Sequence, residues 1–203
     1  MAASRPPYTI KVAATKDEIE ACYDIRVEGG SGLLDLDPIT DAVRVVFVVE
    51  QGYPHDTEID DLDPISTHFL LSVQAPSPPP SSTAVLGTIL SSSNESTSTP
   101  IGTIRYTPSK SKLGRLALSA EYRKYGFGRI LVDALENHVK GGADGKVGDL
   151  VQEKEGKRVI DIRANAQVPV IPFYEKCGYR PVGEEFLEEG EPHKLVIKTV
   201  NMD

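Results

Sequence analysis

The sequence has no tryptophan, only 6% aromatic residues, two cysteines and four histidines. Cys22 and Cys177 stand alone, with no CxxC and no His cluster beside them, so no zinc spacing is present and two free thiols are expected. No apolar run approaches the roughly 20 residues that a spanning helix requires. No signal peptide is legible either, and the sequence therefore predicts a soluble, cytoplasmic protein with no membrane partner. Positive charge is also short: 22 Lys and Arg face 30 Asp and Glu, giving a net charge of −8. The basic residues are scattered rather than clustered, which argues against nucleic acid as a partner and leaves a small cationic ligand compatible.

What remains is a chain of 203 residues, 39% hydrophobic, enough for one core, so residues 1–203 are read as a single domain. YTIKVAA (8–14) alternates as a strand, and Thr15 with Glu18 forms a capping box that opens a helix over about 16–28. Residues 42–49 follow Thr40 and Asp41 and fit either a helix or a valine-rich strand. EQGYPHDTEIDDLDPIST reads as a loop and HFLLSV (68–73) as a strand. The Ser/Thr/Pro tracts of 75–100 bury too little apolar surface to offset chain entropy, so mobile insertions around an added strand AVLGTIL are expected there. IGTIRY (101–106), KLGRLALS (112–119), RVIDIRANA (158–166) and HKLVIKT (193–199) read as strands. Ile130, Leu131, Ala134, Leu135, His138 and Val139 recur at helical spacing, Gly141 and Gly142 end that helix, and IPFYEKCGY (171–179) gives a short one. This interleaving predicts an α/β fold: one three-layer domain with a mixed central sheet and helices on both faces.

Arg123-Lys124-Tyr125-Gly126-Phe127-Gly128-Arg129 sits where strand gives way to helix. The first amides of a helix lack partners and, with the helix dipole, favour phosphate oxygens. Gly126 and Gly128 remove obstructing side chains, and Arg123, Lys124 and Arg129 supply rim charge. A dinucleotide motif fails because residue 131 is Leu, and a Walker loop fails at GK because residue 140 is Lys and residue 147 Val. The loop alone leaves two readings open, a phosphate site or a helix start needing glycine for tight packing.

Arg123-x-x-Gly126-x-Gly128 after LGRLALS resembles the acetyl-CoA pyrophosphate motif of the GNAT superfamily of N-acetyltransferases. FYEKCGY, about fifty residues later, resembles that family's second signature. VFVVEQGYPHDTEIDDLDPISTHFLL and EFLEEGEPHK are similar to the ElaA-like branch. The sequence departs from the branch in the 75–100 insertion, in Val168-Pro169 after AQ, and in a longer loop at 141–157. The resemblance implies a GNAT domain with acetyl-CoA as co-substrate and no metal. It implies that Tyr125, Gly126, Phe127, Gly128 and Arg129 wrap the pyrophosphate, and that Leu116, Ala117 and Leu118 splay from the neighbouring strand to pair with pantetheine. Gln167 stands where relatives place a cofactor-contacting Asn, and the amide is kept.

Such a domain transfers acetyl to a small-molecule primary amine by direct attack in a ternary complex. The alternative is a non-catalytic acyl-CoA-binding module. An alkylamine with a pKa near ~10 needs a base, the oxyanion needs a backbone N–H such as one near Leu118, and the thiolate needs an acid. Tyr174 matches the family's acid, with aromatic packing as its other reading. For the base, Glu50 follows the apolar segment and could equally be a cap, while His193 could equally be structural; His68 carries the same ambiguity, and His55 and His138 read as surface residues. Glu58, Asp60, Asp61 and Asp63 form either a solvated loop or a cation-attracting patch; the calcium-loop pattern is missing. The sequence leaves the acceptor, and a homodimer, open.

Overall fold

The computed structural model describes residues 5–27, 60–74, 98–142 and 150–202. Glu50, His55, Glu58, the segment 42–49 and the expected added strand lie outside the described residues. The elements are β1 (Tyr8–Val12), α1 (Lys16–Val27), β2 (Thr67–Gln74), β3 (Ser98–Thr107), β4 (Lys112–Leu118), α2 (Phe127–Lys140), β5 (Gln152–Lys154), β6 (Lys157–Gln167), α3 (Ile171–Lys176), β7 (Arg180–Glu188) and β8 (Glu191–Asn201). The sheet runs β1-β2-β3-β4-β6-β8-β7, with β5 paired to the start of β6. Among the described residues only β4 and β6 pair in parallel, which makes the sheet mixed.

Alternation in β2 shows how the layers form. Phe69, Leu71 and Val73 enter the larger core with Leu131, Leu135 and Val139 of α2 and Tyr174 of α3. Leu70 points the other way, into a smaller cluster with Ala117 and with Cys22 and Ile25 of α1. The period-2 pattern thus puts helices on both faces of the sheet, as expected. Each fully buried Leu or Ile contributes about 1.5–3 kcal/mol of apolar transfer.

Local signals hold at α1. Thr15 Oγ1 accepts from the Glu18 amide at 3.3 Å, and Glu18 Oε2 accepts from the Thr15 amide at 3.1 Å, completing the capping box. Lys11, 2.5 Å from Glu18 Oε1, and the amides of Ala14 and Thr15 hold the Glu18 carboxyl down at about 2. On the other face Lys198 of β8 reaches Glu136 of α2 at 2.6 Å and the Cys177 carbonyl at 2.8 Å, tying both helices to the sheet.

Four expectations are corrected. Ser98, Thr99 and Pro100, read as part of the insertion, belong to β3 and pair with Gln74, Val73 and Ser72. The strand before RKYGFGR does not run straight into the helix, because a 3-10 turn over Ala120–Tyr125 intervenes. His138 is half-buried, with its ring edge-on to Phe69 at 5.3 Å. The acidic run is neither wholly solvated nor free to attract cations: Arg105 grips Asp60 at 2.8 and 3.0 Å, and Arg26 places both terminal nitrogens 3.1 Å from Asp63.

That cluster anchors α1 to the loop before β2. Arg26 is 0% and Asp63 2% exposed, Arg105 also reaches Asp63 at 2.9 Å, and Arg26 stacks over Tyr23 at 4.6 Å. Burial pushes the Asp63 carboxyl up, but Arg26, the Asp60 amide and Arg105 outweigh it and hold it below the usual range. Asp60 follows the same balance, with Arg105 as the main opposing partner. His68 donates Nε2–H to the Asp63 carbonyl at 3.0 Å, and burial lowers its pKa, so it packs here as a neutral ring.

Because both folded-state carboxyl pKa values lie below the unfolded ones, their stabilisation is complete above the ordinary carboxylate pKa of ~4 and drains away as pH falls further. Asp63→Ala strands a buried guanidinium and should cost about 3–5 kcal/mol at pH 7. Urea unfolding at pH 7 and pH 3 checks both statements: the variant should also lose much of the wild type's acid sensitivity.

Candidate active site

The site begins with a bulge. Between the pairs Thr103↔Ala117 and Arg105↔Gly114, β4 spends one more residue than β3, and Arg115 there takes a left-handed φ of 51°. A bulged strand bends. Pairing with β6 stops at Lys112↔Arg163, so among the described residues β4 beyond Lys112 and β6 beyond Arg163 have no strand partner on their facing edges. The strands part over Leu116–Leu118, and a cleft of about 950 Å³ opens there.

One end of the cleft is the start of α2. Gly126 sits at φ 75°, where any Cβ is strained, and no side chain caps the first turn of α2. Gly128 has a packing reason for being bare, since a Cβ would stand 3.3 Å from the Phe173 ring of α3. Gly126, Gly128, Arg129, Arg123 and Lys176 all line the cleft. Arg123 donates Nε–H to the Leu118 carbonyl at 3.0 Å, folding the 3-10 turn back onto β4. Arg5 donates Nε–H to the Tyr125 carbonyl at 2.9 Å and lies over the Phe127 ring. Phe127 itself is fully buried, so it can offer a ligand only its backbone, and Ala117 likewise turns its methyl to α1. Lys124 and Tyr125 are not in the cleft wall; the Lys124 ammonium rests 5.5 Å from the Tyr125 ring centroid.

The cleft passes through the sheet at the parting. Ala164 and Ala166 of β6 face the core under α2, so Asn165 and Gln167 face the opposite side, and His193, paired with Gln167 across the β6–β8 ladder, faces with them. Tyr174 stands on the α2 side, 7% exposed and in the cleft wall. Burial, and secondarily the Cys177 thiol, push its phenol well above the usual tyrosine value, so it holds its proton at neutral pH.

On the far face, His193 is 7% exposed and stacked on Phe186 with ring centroids 6.2 Å apart. Its Nδ1 lies 2.9 Å from the Glu191 carbonyl. A carbonyl only accepts, so Nδ1 carries a proton, and in the neutral ring Nε2 presents the lone pair. His68 does not line this cleft. Sequence reasoning missed Arg5, Lys176, Asn165 and Glu188; of these only Asn165 had a signal, because strand period puts it on the face of Gln167.

A family model described as acetyltransferase (GNAT) domain matches residues 93–181. A protein of Bacillus subtilis (strain 168) named as an acetyltransferase is 30% identical over 169 residues, 81% of this chain and 89% of the relative. The chain belongs to the GNAT superfamily and is an acyltransferase. The fold is shared with an N-acetyltransferase from Lactobacillus plantarum, at TM-score 0.58 and 22% identity over 95% of this chain and 98% of that one. It is shared also with Escherichia coli ElaA, at TM-score 0.55 and 17% identity over 96% and 99%. Among the described residues no helix is long and apolar enough to cross a membrane.

Gly126→Ala puts a Cβ into the left-handed region and should cost about 1–2 kcal/mol of stability. Guanidinium unfolding of the variant reads that cost; an unchanged midpoint would show that the turn relaxes freely.

Proposed function

We propose that the protein moves an acetyl group from acetyl-CoA to a primary amine of a small molecule by direct attack within a ternary complex. The observation that carries this is the through-sheet cleft. An uncapped helix start and cationic rim lie at one end, a neutral buried phenol on the same side, and an imidazole lone pair on the opposite face.

The residues fit a diphosphate at the α2 start. Amides of the first turn lack a side-chain cap, the backbone is bare at Gly126 and Gly128, and Arg129, Arg123 and Lys176 border it. Leu116 and Leu118 line the cleft, and the unpaired edge of β4 offers backbone groups to an extended pantetheine arm, with Ala117 contributing its main chain. Gln167 sits at the parting and offers its amide from the opposite face.

Bound acetyl-CoA supplies a thioester carbonyl that the amine nitrogen attacks. A backbone N–H of β4 near Leu118 serves as oxyanion donor. His193 Nε2 takes the proton from nitrogen, since the Glu191 carbonyl occupies Nδ1 and leaves Nε2 to accept. Tyr174 gives a proton to the departing sulfur, which its neutral phenol can do. Exchange with solvent then restores both side chains.

Thiol release from acetyl-CoA in the presence of spermidine, histamine, glucosamine, lysine and benzylamine tests the reading. Turnover with at least one is expected, and Tyr174→Phe should lower kcat at least about tenfold while leaving the KM for acetyl-CoA unchanged. Equal kcat would reduce Tyr174 to a packing residue. CoA binding with no turnover of any amine would instead identify a non-catalytic acyl-CoA-binding module.

A further inference from the structure

The hairpin of β7 and β8 carries a carboxylate that the transfer reading does not use. Glu188 ends β7, and the turn at Glu189 and Gly190, with φ of 54° and 84°, brings the chain back so that Phe186 pairs with His193. Such a tight turn leaves the Glu188 side chain over the same face as His193. Its Oε2 lies 4.0 Å from His193 Nε2, the nitrogen that bears the lone pair.

Glu188 is held rather than loose. Asn165 Nδ2 donates to both carboxylate oxygens at 3.0 Å, and Lys112 of β4 stands 3.8 Å from Oε1 across the parting. Asn165 thus holds both oxygens and the plane of the carboxylate, Lys112 draws on Oε1, and Oε2 stands toward the imidazole. Glu188, Asn165, Lys112 and His193 all line the cleft. The cleft lining also holds Glu189 in the turn, Asp60, Arg105, Lys110 and Arg115 beside Lys112, and Tyr174 on the far side, whose phenol stays neutral. Phe186 covers one face of the ring and so limits how far His193 can swing from the carboxylate.

We propose that Glu188 is the positioning residue for the base of the reaction: oriented by Asn165, it faces His193 Nε2 and stabilises the imidazolium formed when His193 takes the amine's proton. The physical basis is the attraction of opposite unit charges about 4 Å apart on a partly buried wall, which appears only after proton transfer. A neutral ring gains little from the carboxylate and an imidazolium gains much, so the effect falls on kcat rather than on acetyl-CoA binding. Asn165 belongs to the same device, because without its amide the carboxylate can turn wholly to Lys112. The inference rests on the acetyl-transfer reading and names the group that makes its base effective.

A double-mutant cycle tests it, using acetyl-CoA and the amine turned over fastest among the five named above. Glu188→Gln should lower kcat about tenfold or more with the KM for acetyl-CoA and the thermal midpoint unchanged. Glu188→Asp should recover part of the loss. In a His193→Gln background, Glu188→Gln should cause no further loss, since the charge it stabilises no longer forms. Full kcat in Glu188→Gln overturns the inference. So do losses that multiply in the double variant, which would make Glu188 act independently of His193. Wild-type failure on every amine overturns the transfer reading and this inference together, whereas wild-type turnover with an intact Glu188→Gln overturns this one alone.

Discussion

The separation of β4 from β6 is the constraint on which the rest of the molecule depends. Adjacent parallel strands normally satisfy each other's backbone along their length, and here they meet at one residue pair, Lys112↔Arg163. The extra residue in β4 and the left-handed Arg115 bend the strand away. A non-glycine residue in that conformation costs about 1–2 kcal/mol. It persists because its neighbourhood fixes it: Arg115 is drawn to Asp60 at 3.3 Å, and Asp60 is itself gripped by Arg105. The ion cluster that anchors α1 thus also supports the bulge that opens the cleft.

In the transfer we propose, the two reactants approach from the two faces of one sheet. On the α2 side stand an uncapped helix start, cationic side chains and a phenol whose proton burial retains. On the other side stand His193, Gln167, Asn165 and Glu188, set by the β6–β8–β7 ladders. A nucleophile and an acyl donor approaching from opposite faces meet at the parting without competing for the same wall. The geometry therefore suits a ternary complex, since neither partner must leave before the other enters.

The fold was legible where burial imposes a period. β2 alternates Phe69, Leu71 and Val73 against Leu70, and α2 repeats Leu131, Leu135 and Val139, so both could be read as written. β7 could not, because Arg180–Glu188 is exposed almost throughout and an edge strand without a buried face carries no alternation; Gly183, at φ 75° beside the register shift, breaks it further. The GNAT motifs located the helix start correctly but not its cause. Gly126 is required by its dihedral and Gly128 by Phe173, facts that only the packed structure supplies. The acidic run illustrates the same limit: Arg105, some forty residues away in sequence, decides that Asp60 and Asp63 are structural. Glu188 and His193 lie near each other in sequence, yet their partnership becomes visible only once the hairpin is closed.

Hydrogen exchange with and without saturating CoA bears most directly on the claim that the parted strands form the coenzyme site. Slowed exchange concentrated in the amides of 114–118 and 126–130 is the predicted result. Saturating CoA that leaves those amides unchanged, or that protects another face of the molecule, would contradict it.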